Sequence, residues 1–295
     1  MSSEMQKIEL PPMPQVVSKI IQMDENNIDL SSNQIQNIIS VDPGLTAKIL
    51  KLANSAFYAR TKKIDNLSQA VTLLGFKTIK SLTLLVSVAG AIGKSGSQSE
   101  MQKELWIQAV LTAYISKIIA GKCEYAKQQE EAFLYGLLKN IGRLIIHNRF
   151  PNSYQTIYKK SFNGLYIEQL IEAEKETFGF TSAEIAAEGM RNWNFPENLS
   201  KVCALTTNEY DKVFEEAGIF AVIAVLAEII VLLQSISKDE NQLEKDVSDK
   251  LEAIFKEYAK KLNLNETTIT YLRGNLKKHI QQDDFFQFCE EIFTM

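Results

Sequence analysis

The stretch from Ala217 to Leu233, AGIFAVIAVLAEIIVLL, is apolar except for one glutamate, Glu228, and it constrains the fold more than any other part of the chain. It falls short of the ~20 residues a helix needs to cross a bilayer, and a carboxylate in mid-span is costly there. No membrane span is expected. Read instead as a helix inside a protein, the run must be covered on nearly every side. The rest of the chain then has to supply a shell of amphipathic elements. Glu228 has to find a cation or hydrogen bonds, or take up a proton.

The shell is legible as helical periodicity. Leu45, Ile49, Leu52 and Ala56 draw one apolar stripe, as do Ile107, Leu111, Tyr114 and Ile118, and again Leu134, Leu138, Ile141 and Ile145. Helix starts agree with the stripes. Asp42 before Pro43 reads as N-cap then first helical residue, and Ser31 with Gln34, Asn66 with Gln69, and Thr181 with Glu184 have the spacing of capping boxes. SLTLLVSV, Ser81 to Val88, alternates like a strand, but it runs on into Ala89–Gly90–Ala91 without a strand partner nearby and is expected to be helix. Polar breaks at KSGSQS, Lys94 to Ser99, and at SKDENQLEKD, Ser237 to Asp246, divide the chain into 1–93, 94–236 and 237–295. The expected fold is all-α.

Charge and cysteine usage narrow the function. A net charge of −4 argues against a groove that tracks nucleic-acid phosphates. Cys123, Cys203 and Cys289 are widely spaced with no CxxC pair, and the N-terminus lacks an apolar signal core, so a reducing, cytoplasmic location is expected. Glu168, Glu172 and Glu176 form an acidic ladder that reads as a solvated helix face. GAIGKSG, Gly90 to Gly96, has the wrong spacing for a phosphate-binding loop. The pair of helices around Val41–Asp42–Pro43–Gly44 has helix-turn-helix form and would offer Lys48, Lys51 and Asn54 to a partner or to nucleic acid. The chain's acidity favours packing or a protein partner there. The tail carries Phe285, Phe286, Phe288 and Phe293, which fit a helix docked onto the body.

Six ordered segments resemble the HDOD family. They are LPPMPQVVSKIIQM (Leu10 to Met23), VDPGLTAKILKLANSAFYA (Val41 to Ala59), IDNLSQAVTLLGFKTIKSL (Ile64 to Leu82), EEAFLYGLLKNIGRLII (Glu130 to Ile146), EAEKETFGFTSAEIA (Glu172 to Ala186) and WNFPENL (Trp193 to Leu199). The resemblance covers about residues 8 to 235. It implies a multi-helix fold like that of the HD-domain phosphohydrolases, with an N-terminal helical subdomain and, in this chain, extra C-terminal helices. Family membership further implies a non-enzymatic bacterial signalling protein, connected with motility or gene expression and acting through unidentified protein partners.

An HD-type centre needs several His and Asp ligands around one or two divalent metals. This chain has two histidines, His147 and His279, and neither falls in a matching motif. By the resemblance, the His-Asp pair after GLL is Lys139–Asn140, and other ligand positions are held by Gln108 and Ser182. Leu205–Thr206–Thr207 lacks the double histidine, and Glu228 is the one surviving acidic ligand. No metal or cofactor is expected. Lys139 is the natural partner for Glu228, each at least partly buried. The competing readings are a phosphohydrolase with an unrecognised metal site and a helix-turn-helix regulator. The sequence is silent on oligomeric state.

Overall fold

The structure, a computed structural model, describes residues 10, 13–21, 23, 32–58, 63–93, 99–161, 167–205, 210–235, 242–274, 276, 280 and 282–294. Among the described residues every regular element is helical. The N-terminal third carries α1 (Gln15–Ile21), α2 (Ser32–Ile39), α3 (Pro43–Ala53), α4 (Leu67–Leu74) and α5 (Phe76–Gly93). The middle carries α6 (Glu100–Lys122), α7 (Gln129–Leu138), α8 (Ile141–Arg149), α9 (Pro151–Lys160), α10 (Ile167–Phe178), α11 (Ser182–Asn192), α12 (Glu197–Ala204) and α13 (Tyr210–Leu233). The final third carries α14 (Gln242–Lys261), α15 (Glu266–Arg273) and α16 (Asp284–Thr294).

The apolar run lies in α13, where every residue from Ala221 to Leu232 is buried, between α6, α7, α12 and α14. The helix is broken near the start of the run: Gly218 has φ 71° and ψ −167°, a conformation that side-chain-bearing residues avoid. α5 is the one described helix long and apolar enough to cross a membrane by length and composition. It is mostly buried inside the fold, packed on α3, α4, α7 and α16, and SLTLLVSV is helix within it.

Local signals set the helix ends. Asp42 Oδ1 accepts from the Leu45 N–H at 3.0 Å with Pro43 at the first helical position. Thr181 and Glu184 form a complete capping box. Asn66 caps α4 by accepting from Gln69 N–H, but the Gln69 side chain turns to Asp65 N–H, so that box is half-formed. Ser31 lies outside the described residues. Two stripes are interrupted. Leu134 to Ile145 is split between α7 and α8 by a two-residue turn at Lys139–Asn140, and Ala56 is exposed in a 3₁₀ turn after α3.

Of the expected breaks at 94–99 and 237–246, residues 94–98 and 237–241 lie outside the described residues, Ser99 caps α6, and 242–246 are helix, the start of α14, rather than a break; the final third does not pack as a separate body. α16 returns to the N-terminal third and α6. Trp106 Nε1 donates to Cys289 O at 2.8 Å, and its indole stacks on Phe293 at 5.0 Å. Phe285, Phe286 and Phe288 are buried, with Phe285 against Phe57.

Candidate functional site

The break between α7 and α8 aims two consecutive side chains at α13. Lys139 Nζ donates to Glu228 Oε2 at 2.7 Å, and Asn140 Nδ2 donates to Oε1 at 2.8 Å. One turn into α8, Arg143 Nη2 donates to the same Oε1 at 3.1 Å. Lys139 and Glu228 side chains are each 3% exposed, and Arg143 is 9% exposed. Burial pushes the Glu228 carboxyl up, but the adjacent Lys139 and Arg143 charges and the hydrogen bonds outweigh it and hold the group down to about 2. Burial alone would lower Arg143; the Glu228 charge beside it raises it instead.

Around this cluster lies a second buried carboxylate. Glu174 of α10 accepts from Tyr154 Oη at 3.1 Å and from the Ser182 N–H at 2.7 Å, at the N-terminus of α11. Burial raises its pKa, and the Ser182 and Tyr154 hydrogen bonds and the Arg143 charge oppose the rise. The α8–α11 approach that allows this is close. A Cβ on Gly142 would sit 1.8 Å from Ser182 O, so glycine is required there by contact.

The structure thus brings together Lys139, Asn140 and Glu228, with Ser182 beside them. A cavity of about 20 Å³ is lined by Lys139, Asn140, Arg143, Ser182 and Cys203. That space holds about one water. Gln108 stands apart: its amide donates to Tyr158 Oη at 3.0 Å rather than to Glu228. Lys48, Lys51 and Asn54 do not form a free recognition face. Lys51 pairs with Glu291 at 2.9 Å over the Phe288 ring, and Asn54 clamps Ile64 through its N–H and its carbonyl. Lys48 is half-buried. His147 is buried, with Nε2 3.2 Å from Ser99 Oγ and its ring centroid 6.4 Å from that of Tyr154, and burial lowers its pKa. His279, Thr206 and Thr207 lie outside the described residues.

Sequence reasoning missed Arg143 and Glu174. A signal existed for Glu174, since Ile167, Leu170, Glu174 and Phe178 share one helix face and three of the four are apolar. Arg143 within NIGRLII is one turn from Asn140, on the side that faces α13.

The residues present do not fit a divalent ion. Among the described residues no three His, Cys, Asp or Glu side chains group as ligands. Both oxygens of Glu228 already face cations of the protein itself, which an entering metal would have to displace against like charge.

The HDOD domain family model matches residues 10–209. The chain belongs to the HDOD family. The match ends before Glu228, short of the extent the segment resemblance implies. The chain is similar over its full length to a provisionally named phosphohydrolase from Shewanella amazonensis SB2B, at 24% identity and a TM-score of 0.73, with 98% of that chain covered. It is similar to an HDOD domain protein of unknown function from Geobacter sulfurreducens, at 19% identity and a TM-score of 0.63, covering 92% of this chain and 93% of that one. A provisionally named signal transduction protein from Marinobacter aquaeolei VT8 shares 19% identity and a TM-score of 0.71, over 99% of this chain and 64% of that one. An uncharacterized protein of Treponema pallidum (strain Nichols) is 27% identical over 187 residues, which is 63% of this chain and 36% of that protein. The chain therefore spans about a third of that relative's length. These structural likenesses establish the all-α, HD-like fold.

Proposed function

We propose that this chain is a non-catalytic HDOD-type regulatory protein of bacterial signal transduction, cytoplasmic, working through protein partners, with motility or gene expression as the process the family resemblance suggests. The observation that carries this reading is the occupation of Glu228. Where a metal-dependent relative would present carboxylate oxygens to an ion, this chain presents them to Lys139, Arg143 and Asn140. A cavity of about 20 Å³ beside them leaves no room for a phosphodiester, whereas ligand pockets run to roughly 300–1,000 Å³. Nucleic acid is not the proposed partner, because Lys51 and Asn54 are engaged within the chain.

Hydrolysis of bis(p-nitrophenyl) phosphate by the purified full chain, with Mg²⁺, Mn²⁺, Ni²⁺ or Zn²⁺ supplied, tests the catalytic half. The expected rate equals the protein-free blank. Hydrolysis that a chelator abolishes and that Glu228→Gln also abolishes defeats the reading. Affinity capture from the native cell with mass spectrometry tests the binding half, where a reproducible, near-stoichiometric protein is expected. No enrichment over an unrelated helical bait removes its support.

A further inference from the structure

A separate cavity, of about 490 Å³, lies between the start of α1, the first half of α3, the C-terminal half of α5 and the end of α16. It shares no lining residue with the Glu228 cavity. Its size falls within the usual range for small-molecule sites, roughly 300–1,000 Å³.

α5 forms one wall. Val86, Ala89, Gly90 and Gly93 recur there at helical spacing, and all four line the cavity. The two glycines differ in what covers them. A Cβ on Gly93 would sit 2.5 Å from Phe293 O, because α16 lies directly on that turn, whereas a Cβ on Gly90 would meet nothing within 4 Å. α16 thus seals the last turn of the wall and leaves the turn before it open. Leu45 of α3 and Phe293 of α16 continue the apolar lining.

Two polar side chains in this lining are left over. Ser87 of α5 is 8% exposed, and its hydroxyl makes no hydrogen bond among the described residues. Thr78 and Thr83 of the same helix differ from it, since they donate to Leu74 O and Ile79 O. Lys48 of α3 is half-buried, and its ammonium has no ion pair or hydrogen bond among the described residues, whereas Lys51 beside it on the same helix pairs with Glu291. Buried polar groups are ordinarily satisfied, so an unpartnered hydroxyl and an unpaired cation in one apolar lining point to a ligand that satisfies both.

The charge of the lining limits what that ligand is. Asp42 is its one carboxylate; it is exposed, and its Oδ1 already accepts from the Leu45 N–H, so the N-terminus of α3 is capped from within the chain. One cation remains. A single negative charge matches Lys48, while a second would face Asp42 unbalanced.

We propose that this cavity binds a small amphipathic monocarboxylic acid, a fatty acid in chemical class, with its carboxylate at Lys48 and the Ser87 hydroxyl and its hydrocarbon chain along Val86, Ala89 and Gly90 toward Phe293. The site is independent of the Glu228 cluster, and its test does not depend on the regulatory reading.

Calorimetric titration of the full chain with octanoate, decanoate and dodecanoate, each below its micelle threshold, measures it, with the matching alkanols and alkylammonium ions as probes of the head group. Saturable binding of at least one carboxylate at or below about 1 mM is expected. The matching alkanol and alkylammonium should each bind at least ~10-fold more weakly, as should the carboxylate to Lys48→Met, the loss typical of a hydrogen bond to a charged group. Gly90→Leu places a side chain in the open turn of the wall and should weaken the carboxylate by ~10-fold or more, the loss expected when about two methylenes are displaced. Lys48→Met keeps the apolar stem, and Gly90→Leu replaces glycine by a better helix former, so an unchanged circular dichroism melt is expected of each and establishes that it is folded. Failure of all three carboxylates to saturate, an alkanol or alkylammonium binding as tightly as its carboxylate, or undiminished affinity in either folded variant overturns the proposal.

Discussion

Glu228→Gln removes a charge while nearly preserving shape, and so isolates what the buried carboxylate contributes. In the folded chain Lys139 and Arg143 both donate to it, and Lys139 and Glu228 are 3% exposed, so solvent does little to screen the interaction. The carboxyl is held down to about 2 from an ordinary 4.5. At about 1.36 kcal/mol per pH unit, that gap corresponds to about 3 kcal/mol of stability at neutral pH. An independent route agrees, since breaking a buried pair from one side costs about 3–5 kcal/mol. Unfolding entropy of about 2.1 cal/mol/K per residue over 295 residues converts 3 kcal/mol into a fall in Tm of about 5 °C.

The sign with pH follows from the depressed folded value. The stabilisation is fully present above about 4.5, the unfolded value, and fades as pH falls toward about 2. Urea unfolding of wild type and Glu228→Gln should differ by about 3 kcal/mol at pH 7 and converge as the solution is acidified through that window. A difference below about 1 kcal/mol at pH 7, or one that does not shrink on acidification, refutes the assignment of Glu228 as an ionised, internally paired group.

Gly142→Ala drives a methyl into Ser182 O, so α8 and α11 must part; denaturant unfolding should show a loss of about 1–3 kcal/mol or more. Phe293→Ala removes the ring stacked on Trp106 and should cost about 3–5 kcal/mol, with a red shift of tryptophan emission as water reaches the indole. For the thiols, burial pushes Cys203 up to about 12 and Cys289 well above its ordinary value, while Cys123 is raised less and is half-buried. Iodoacetamide at pH 8 followed by mass spectrometry should therefore label Cys123 alone in the folded chain, slowly, and all three once urea unfolds it.

The all-helical architecture was legible because apolar spacing and capping residues act locally. Asp42, Asn66 and Thr181 each cap a helix with atoms three residues away. The pairing of Lys139 with Glu228 was legible for a different reason: a lone carboxylate in an apolar run demands a cation, and the family resemblance puts Lys139 and Glu228 at positions that hold metal ligands in catalytic relatives. What escaped is what depends on how a helix turns. The stripe from Leu134 to Ile145 is continuous in sequence, so nothing local shows that the chain breaks at Lys139–Asn140 and thereby swings both side chains, and Arg143 after them, onto Glu228. The docking of α16 was foreseeable from its phenylalanines, but not its landing place, since the Trp106–Cys289 hydrogen bond joins residues with no local pattern in common.

The cluster's composition explains why a scaffold of this kind holds together around four ionisable side chains. At full ionisation Lys139 and Arg143 would balance Glu228 and Glu174; burial, which raises the Glu174 carboxyl, works against that state and the Arg143 charge works for it. Neutrality alone is weak evidence of stability, because taking four ions out of water costs about as much as their attraction returns. Geometry is the firmer gain. Asn140 and Arg143 both require Oε1, Lys139 requires Oε2, and Glu174 faces Arg143 while it also caps the start of α11. Such directional bonds admit one register of the α7–α8 turn against α13, where apolar packing would tolerate several. A divalent ion brought into this set would add two positive charges beside Lys139 and Arg143 and strip Glu228 of the Lys139 and Asn140 donors that now satisfy it.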